Sequence, residues 1–223
     1  MPRRILLINP NSSTATTDMM VAIAQEAAGD DCKVIGATAA RSPRMIVEPK
    51  ALAASVAEVG EIARANHEDY DGLIVAAFGD PGLAEIRATI SIPATGIAEA
   101  AMLEAVKGDR RFGIATTTPG LAVQINARVD DLGLRGRYTG IRFTDGEPNT
   151  LVADPERLRD ALAKVVELCV GSDGAQAVII GGGPLAQAAR QLQPLFSVPI
   201  IAPIPAAALR LMAMIGSTNR RTA

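Results

Sequence analysis

The sequence predicts an α/β protein built from two similar halves, each with a parallel sheet. Short apolar runs alternate with amphipathic runs along the chain, which is the pattern of successive βα units. Residues 71–102 and 175–207 share one order of features: an apolar strand, a Gly/Pro turn, a helix, a strand entered through proline and an Ala-rich helix. Gly182 follows Ala77 by 105 residues, and such a fixed offset indicates an internal repeat. We therefore expect a pseudo-two-fold axis, with the turns of the two halves facing each other across a cleft.

The first half contains four predicted strands and the helices between them. Residues 73–77 form a continuous apolar run, which is typical of a strand buried on both faces of a parallel sheet. The remaining strands are expected at residues 5–8, at 33–37 and near 92–93, and the helices at about 16–28, at 50–66, after Gly82 and from near Glu99.

The second half repeats this order. Its strands are predicted at residues 112–115, at 138–143 and within 175–207. One helix is predicted to end near residue 132, and two others to span 155–169 and 206–215. A frayed tail is predicted at 217–223. We expect residues 1–98, completed by a C-terminal helix within 206–223, to form one lobe. Residues 99–205 form the other lobe.

Composition narrows the classes of partner. The chain is 48% hydrophobic and 21% charged, which is ordinary for a soluble globular protein. A net charge of −2 argues against binding to nucleic acid or to an anionic membrane. No apolar run approaches the roughly 18 residues of a membrane span, and the run at residues 5–8 is too short for a signal peptide. A cytoplasmic location is therefore expected.

The cysteines and the single histidine do not form a metal-binding pattern. Cys32 and Cys169 are far apart in sequence, and neither stands in a metal or redox spacing. His67 lies in a polar run, at a predicted helix end. A zinc site needs several nitrogen or sulfur ligands together, so no metal is expected.

The turns after the predicted strands are the first place to look for chemistry. In an open α/β sheet, ligands lie just past the carboxyl ends of the strands. Residues 77–82 form one such turn, and the polar turns at 9–14 and 116–120 occupy matching places in the two halves. Ser and Thr at a helix start either cap the helix or help to hold a carboxylate or phosphate. The sequence leaves both interpretations open.

Two loops add charged candidates. The connection at residues 40–49 is long for a βα loop, and long loops in compact domains are often functional. Its Arg41, Arg44 and Glu48 either reach the cleft or are simply solvated. A polar loop at residues 144–149 stands in the matching place of the second half.

Four motifs together resemble the hydantoin racemase branch of the aspartate/glutamate racemase superfamily. They are NPNSS at residues 9–13, FGDPGL at 78–83, GIAEAA at 96–101 and the Thr-Thr pair at 116–117. The resemblance covers nearly the whole chain. It implies two Rossmann-like lobes with the active site between them and no metal or organic cofactor. It also implies a small-molecule substrate, either a carboxylate derived from an amino acid or a cyclic ureide such as a hydantoin or allantoin.

The resemblance also implies a set of ligand-binding residues. The donors that would face a ligand carboxylate or ring carbonyl are Asn9, Asn11, Ser12, Thr116, Thr117 and Thr118. The other residues expected at the site are Arg44, Ala77, Phe78, Gly182 and Gly183. A cage of such donors also stabilises an enolate or oxyanion as negative charge develops.

The chain departs from the family pattern at the two positions that carry catalysis. Racemases of this family have one cysteine directly before FGDPG and another in the Gly-rich turn of the second half, where this chain has Ala77 and Gly182. Racemisation removes a proton from one face of a carbon and returns one to the other, so it needs two acid/base groups. Cys32 and Cys169 fall at a strand start and a helix end, so two-thiol racemisation is not expected.

Three carboxylates are the catalytic candidates: Asp80, Glu48 and Glu147. Asp80 and Glu99 also have a structural interpretation as helix caps, and Tyr138 and Asp145 are further loop candidates. We expect a lyase or hydrolytic reaction on a cyclic ureide or thioureide, in which the donors act together with a carboxylate or water. Two alternatives stay open: a racemase that uses groups other than cysteine, and a small-molecule binding protein without catalysis. A symmetric homo-oligomer is also expected.

Overall fold

The computed structural model describes residues 2–219, which form two four-stranded sheets with helices around them. The strands of the first sheet are β1 (Arg3–Asn9), β2 (Cys32–Thr38), β3 (Gly72–Val75) and β4 (Ala94–Gly96). Its helices are α1 (Thr14–Ala28), α2 (Pro49–Asn66), α3 (Leu83–Thr89) and α4 (Ile97–Ala105). The strands of the second sheet are β5 (Phe112–Thr116), β6 (Tyr138–Phe143), β7 (Ala177–Ile180) and β8 (Ile200–Ile201). The remaining helices are α5 (Ala122–Asp131), α6 (Pro148–Val152), α7 (Pro155–Gly171), α8 (Ala186–Leu192) and α9 (Pro203–Asn219).

The two sheets have the same topology. The strand order is β2-β1-β3-β4 in the first and β6-β5-β7-β8 in the second, and every pair is parallel. In each sheet the first strand in chain order is therefore an inner strand, with the second strand on one side of it and the third and fourth on the other. The predicted two-lobed α/β fold with parallel sheets is confirmed.

The core has separate layers on the two faces of each sheet, because side chains alternate between the faces along each strand. Leu6 and Ile8 of β1 pack on one face of the first sheet with residues of α2 and α3, such as Val59 and Ile86. The second sheet has an equivalent outer layer, formed with α7 and α8. Because successive strand residues point to opposite faces, the intervening residues of β1 are directed toward the middle of the molecule.

The middle of the molecule is one apolar cluster that both sheets share. It contains Ile5 and Leu7 of the first sheet together with Phe112 and Ile114 of the second. Buried residues of α1, α4, α5 and α9 belong to the same cluster. The two lobes are therefore packed together through a continuous core, and the first strand of each lobe contributes to it directly.

The helix boundaries differ from the predictions at the C-terminal end. Helix α9 spans Pro203–Asn219, so residues 217–219 are helical although a frayed tail was predicted for 217–223. Residues 220–223 lie outside the described part. Helix α9 packs against α1, α4, β3 and β4, which all precede the second sheet in the chain. The predicted boundary between residues 98 and 99 falls inside α4, and the division into residues 1–98 and 99–205 stays a prediction.

Within residues 2–219, no helix combines the length and the apolar character that crossing a membrane requires. Cys32 and Cys169 are both buried and free. Burial raises the pKa of the Cys169 thiol to about 12, so this thiol is not a source of thiolate. The described side chains contain no group of three or more His, Cys, Asp or Glu residues placed to hold a metal ion.

Candidate active site

A cavity of about 50 Å³ lies where the strands of both sheets end. Four turns contribute to it, after β1, β3, β5 and β7, so each lobe supplies two. The lining residues that the sequence predicted are Asn11, Ala77, Phe78, Thr117, Thr118, Gly182 and Gly183. The fold therefore brings seven predicted residues, separated by up to 172 positions in the chain, to one place between the lobes.

The turn after β1 is held by a buried asparagine network. Asn9 Nδ2 donates hydrogen bonds to Asn11 Oδ1 at 2.9 Å and to Thr17 Oγ1 at 3.0 Å, and Asn11 N donates to Asn9 Oδ1 at 3.1 Å. Asn9 does not line the cavity, because its amide group is used inside the protein. Its place in the structure is behind Asn11, whose orientation it fixes. Ser12 also lies outside the lining, and its backbone N–H donates to Pro43 O at 3.2 Å.

Of the three threonines at the end of β5, two have hydrogen-bonded hydroxyl groups and one does not. Thr118 Oγ1 lies 3.2 Å from Thr116 Oγ1, within hydrogen-bond distance. Thr116 is fully buried, and its Oγ1 donates to Gly181 O at 2.5 Å. This bond joins the turn after β5 to the turn after β7. The Thr117 hydroxyl is also buried, but it has no hydrogen-bond partner among the described residues. Thr117 therefore offers the cavity an unsatisfied hydroxyl, whereas the hydroxyl of Thr116 is a structural tie.

Close approach between the lobes explains two of the glycines after β7. A Cβ at Gly181 would stand 2.9 Å from Phe78 Cε1, and a Cβ at Gly183 would stand 2.7 Å from Met20 Sδ. Both contacts are shorter than real Cβ atoms tolerate. The glycines therefore let the second lobe approach the turn and helix of the first, and they narrow the cavity between them.

Ala77 and Gly182 both line the cavity, in the turns after β3 and β7. The methyl group of Ala77 cannot exchange a proton, and Gly182 has no side chain. A Cβ at Gly182 would lie 3.1 Å from both Cγ and Cδ1 of Leu185. A side chain at this position therefore requires Leu185 to shift by a few tenths of an ångström.

The apolar walls were not predicted from the sequence. They are formed mainly by Met45, Ile46, Leu52, Leu121, Pro184 and Leu185. The long loop at residues 40–49 does reach the cavity, but through Met45 and Ile46 rather than through its charged residues. The available signal was the apolar run at residues 45–47 within the loop. Loops usually lie on the surface, so an aliphatic side chain such as Ile46 indicates that part of this loop packs against the protein.

Two of the three catalytic candidates are exposed and lie away from the cavity lining. Glu48 precedes α2 and makes no side-chain hydrogen bond to the helix. Glu147 caps α6: it accepts hydrogen bonds from Thr150 N at 2.8 Å and from Asn149 Nδ2 at 2.7 Å, and these donors hold its pKa below the usual range. Arg44 is exposed and also lies outside the lining. The catalytic role of Glu48 and Glu147 stays a prediction, without support from this geometry.

The third candidate, Asp80, is a buried helix cap. Its Oδ1 accepts from Ala98 N at 2.9 Å and its Oδ2 from Glu99 N at 2.8 Å, which satisfies two free N–H groups at the start of α4. The helix it caps is α4 rather than α3, which follows it directly in sequence. Burial raises the pKa of Asp80 to about 7, against the opposing effect of the two backbone hydrogen bonds and of Arg128.

Gly96 is required by this cap. A Cβ there would stand 2.1 Å from Asp80 Cγ, so only glycine lets the carboxylate reach the helix start. Asp80 itself has a φ of 51°, a left-handed conformation that Asp adopts more readily than most residues. The FGDPGL turn is therefore built to deliver a carboxylate to α4, and Asp80 does not line the cavity.

Glu99 is the centre of an ion-pair cluster. Arg87 binds it through two hydrogen bonds, Nη1 to Oε2 at 2.8 Å and Nη2 to Oε1 at 2.7 Å, and Arg210 Nη2 lies 3.1 Å from Oε1. Burial raises the pKa of Glu99, but the two guanidinium groups outweigh that effect and hold the pKa below its usual range. The cluster links α3, α4 and α9 beside the site.

Sequence comparison identifies the family. A family model described as Asp/Glu/Hydantoin racemase matches residues 5–211. The chain belongs to this family. The hydantoin racemase of Rhizobium meliloti is 30% identical to it over 214 residues, which cover 96% of this chain and 89% of that protein. The family assignment confirms the resemblance read from the four motifs.

Solved structures agree with this assignment. The allantoin racemase from Klebsiella pneumoniae has a TM-score of 0.90 and 29% identity, covering 97% of this chain and 89% of that one. The allantoin racemase from Pseudomonas fluorescens has a TM-score of 0.91 at 22% identity, covering 96% and 92%, a likeness that concerns the fold alone. Because the named relatives are racemases, membership of the family supports an enzyme.

Proposed function

We propose that the chain binds a small hydantoin-like cyclic ureide, or a carboxylate derived from an amino acid, in the cavity between its lobes. We further propose that it acts on this ligand without exchanging a proton between two thiols. The observation that carries the proposal is the composition of the cavity: hydrogen-bond donors and apolar walls, with Ala77 and Gly182 in the lining where the family pattern has cysteines.

The cavity suits a small ligand that has both carbonyl groups and an apolar part. Thr117 supplies a free hydroxyl group and Asn11 supplies an amide, whereas the Thr118 hydroxyl is bonded to Thr116. Met45 and Leu185 belong to the apolar wall. Ligand sites generally combine a few placed polar groups with a mainly apolar lining. Family relatives are named for hydantoin and allantoin, which are cyclic ureides, and this supports the same class of ligand here.

The chemistry follows from the absence of a proton carrier. Among the cavity-lining residues that the structure describes, none is Asp, Glu, His, Lys, Arg, Cys or Tyr. General acid/base groups contribute about 10² to 10⁴-fold each, so losing both flanking groups removes most of the rate of a racemase. The cavity can still promote a reaction by polarising a carbonyl group of the ligand with donors such as the Thr117 hydroxyl.

A hydrolytic or lyase reaction is compatible with these means. In hydrolysis, water adds to a ring carbonyl carbon and the adjacent ring C–N bond breaks, which leaves an open-chain ureido carboxylate. The donors stabilise the oxyanion that forms when water adds, and solvent carries the protons. The predicted help from a carboxylate side chain has no support, because Asp80, Glu48 and Glu147 do not line the cavity.

A binding protein without catalysis is the second candidate. The same observation favours it, since a cavity that contains donors and apolar walls is sufficient for recognition. A racemase that uses groups other than cysteine would need acid/base side chains on both faces of the ligand. The described lining residues do not supply them.

Proton NMR in D₂O distinguishes these possibilities. Purified protein is incubated with enantiopure 5-substituted hydantoins, with allantoin, and with hydantoin-5-propionate and its 2-thio analogue. New product resonances are expected, and they identify the substrate. Loss of the C5–H signal from an intact ring, faster than without protein, would contradict the proposed chemistry. Ligand line broadening without any product would favour the binding protein.

The homo-oligomeric state and the cytoplasmic location are further proposals. Light scattering on a sizing column tests the first, and fractionation of cells that express the chain tests the second. A monomer at all concentrations would contradict the oligomer.

A further inference from the structure

A second concave site lies on the other side of the turn after β3. We call it the Arg128 groove; it has a volume of about 290 Å³ and lies between the start of α2, residues 79–82 and α5. Helix α5 contributes Gln124, Arg128 and Asp131 to it. Like the cavity, it is formed by both lobes.

Two polar atoms of the groove residues have no partner. Arg128 Nε and Gln124 Oε1 are buried, and neither makes a hydrogen bond within residues 2–219. The nearest carboxylate to the guanidinium is that of Asp131, whose Oδ2 lies 3.6 Å from Arg128 Nη1. That distance exceeds a hydrogen bond, and the Asp131 side chain is 60% exposed. Unsatisfied buried polar atoms are costly, so partners for these two groups are expected.

Asp80 does not serve as the partner of Arg128. Its carboxylate lies at the groove, but both oxygens already accept backbone hydrogen bonds from the start of α4. The guanidinium therefore makes no hydrogen bond to a described side chain, and the carboxyl groups of Asp131 and Asp80 act on its charge only at longer range. Arginine presents a fork of N–H donors that matches a carboxylate, and the Gln124 carbonyl needs an N–H or O–H donor.

We propose that the Arg128 groove binds a small molecule that carries a carboxylate next to an amide or ureido N–H. The carboxylate pairs with Arg128 and displaces the long contact to Asp131, and the N–H donates to Gln124 Oε1. This site differs chemically from the cavity, whose described lining residues include no cationic side chain.

The groove and the cavity share parts of their walls. Leu52 lines both sites, and residues 76–78 face the cavity while residues 79–82 face the groove. A ligand in one site therefore contacts the same short turn as a ligand in the other. Binding at the groove is expected to change ligand affinity in the cavity, and linkage requires the reverse effect to be equal.

Amide NMR on the full chain tests the proposal with a matched pair of probes. N-acetylglycine carries the carboxylate and the N–H, and N-acetylglycinamide lacks only the carboxylate. Saturable shifts at the amides of Gly79, Gly82 and Arg128 are expected with N-acetylglycine, with Kd below about 10 mM. N-acetylglycinamide is expected to bind at least tenfold more weakly, because a charge-assisted pair is lost.

Variants locate the effect. Arg128→Met is expected to weaken N-acetylglycine binding about tenfold or more, and Asp131→Asn to strengthen it, because the competing carboxylate is gone. Arg159→Met is the control, since Arg159 is a surface arginine of α7 that pairs with Asp160. Equal binding of both probes, no saturable shift, or shifts confined to Thr117 and Gly182 would overturn the proposal. Unchanged affinity in Asp131→Asn would also overturn it, even if Arg128→Met failed to fold.

Discussion

The backbone N–H of Glu99 donates a 2.8 Å hydrogen bond to Asp80, while the carboxylate of Glu99 is held by two hydrogen bonds from Arg87. Two buried carboxylates therefore meet at the start of one helix in opposite electrostatic surroundings. Burial raises the pKa of Asp80 to about 7, and the guanidinium groups hold the pKa of Glu99 below its usual range. Their contributions to stability depend on pH in opposite directions.

Asp80→Asn is expected to remove a pH dependence of stability. Between about pH 4 and 7 the folded protein keeps a proton on Asp80 that the unfolded chain has lost, so the stability due to this group falls as pH rises. The slope is about 1.4 kcal/mol per pH unit at most. Glu99, whose pKa is lowered, contributes stability that is fully present above about pH 4.5 and is lost as pH falls further. Urea unfolding of both proteins at several pH values measures the difference, and parallel curves would contradict the assignment.

Arg87→Met is expected to lower the free energy of unfolding by about 2 kcal/mol, because the buried Glu99 loses its hydrogen bonds from Arg87 and keeps only Arg210 as a partner. Arg64→Met is the matched control. Arg64 pairs with Glu85 at the surface, where both side chains are 47% exposed, and such pairs contribute about 0–1 kcal/mol. Chemical denaturation at pH 7 gives both values. Equal losses would show that Glu99 does not depend on Arg87.

Thr117→Val and Thr116→Val are expected to have opposite effects. The Thr117 hydroxyl is buried without a partner, so replacing it should leave stability unchanged or higher and weaken ligand binding about fivefold. The Thr116 hydroxyl donates to Gly181 O, so its loss should cost about 1–2 kcal/mol of stability. Thermal unfolding and ligand titration of both variants separate the two roles. Loss of stability in Thr117→Val would show that its hydroxyl has a structural partner.

Ala77→Cys is expected to introduce exchange of C5–H with solvent for one enantiomer of a bound hydantoin, without racemisation. A single thiol serves one face of the carbon, whereas inversion needs two groups. Deuterium incorporation and chiral chromatography measure exchange and inversion separately. Racemisation by Ala77→Cys alone would reveal a second proton carrier at the cavity.

Gly182→Cys should lower stability by about 1–3 kcal/mol, since its Cβ would press on Leu185. Urea unfolding measures this loss, and unchanged stability would show that Leu185 yields without cost.

The fold could be predicted because its signals are local. The apolar run of β3 and the repeated turn motifs fix strands, helices and lobe symmetry without knowledge of tertiary contacts. The ends of the last helix could not be predicted from local signals: α9 begins at Pro203 and continues past Ile215, and it packs against α1 and α4, which are distant in the chain.

The hydrogen-bond donors of the site could be predicted from the sequence. The apolar residues of its walls and the positions of its carboxylates could not. Asn11 and Thr117 follow strands directly, so the sheet topology places them. Met45 and Leu52 come from a loop and a helix whose paths depend on tertiary packing. The choice of Asp80 as a catalytic residue depended on its position in the FGDPGL turn. Its carboxylate is instead committed to α4, a contact made 18 residues later in the chain.

The core shared by the two sheets has a consequence for how the halves relate. Although sequence and topology repeat, Ile5 and Phe112 belong to one apolar cluster, so neither half has a complete hydrophobic core by itself. A fragment that ends between the lobes would expose the inner faces of its helices to water. We therefore expect the molecule to unfold as a single cooperative unit, with the slowest-exchanging amides of β1 and β5 opening together. The two halves therefore repeat the same arrangement of strands and helices, but each depends on the other for its stability.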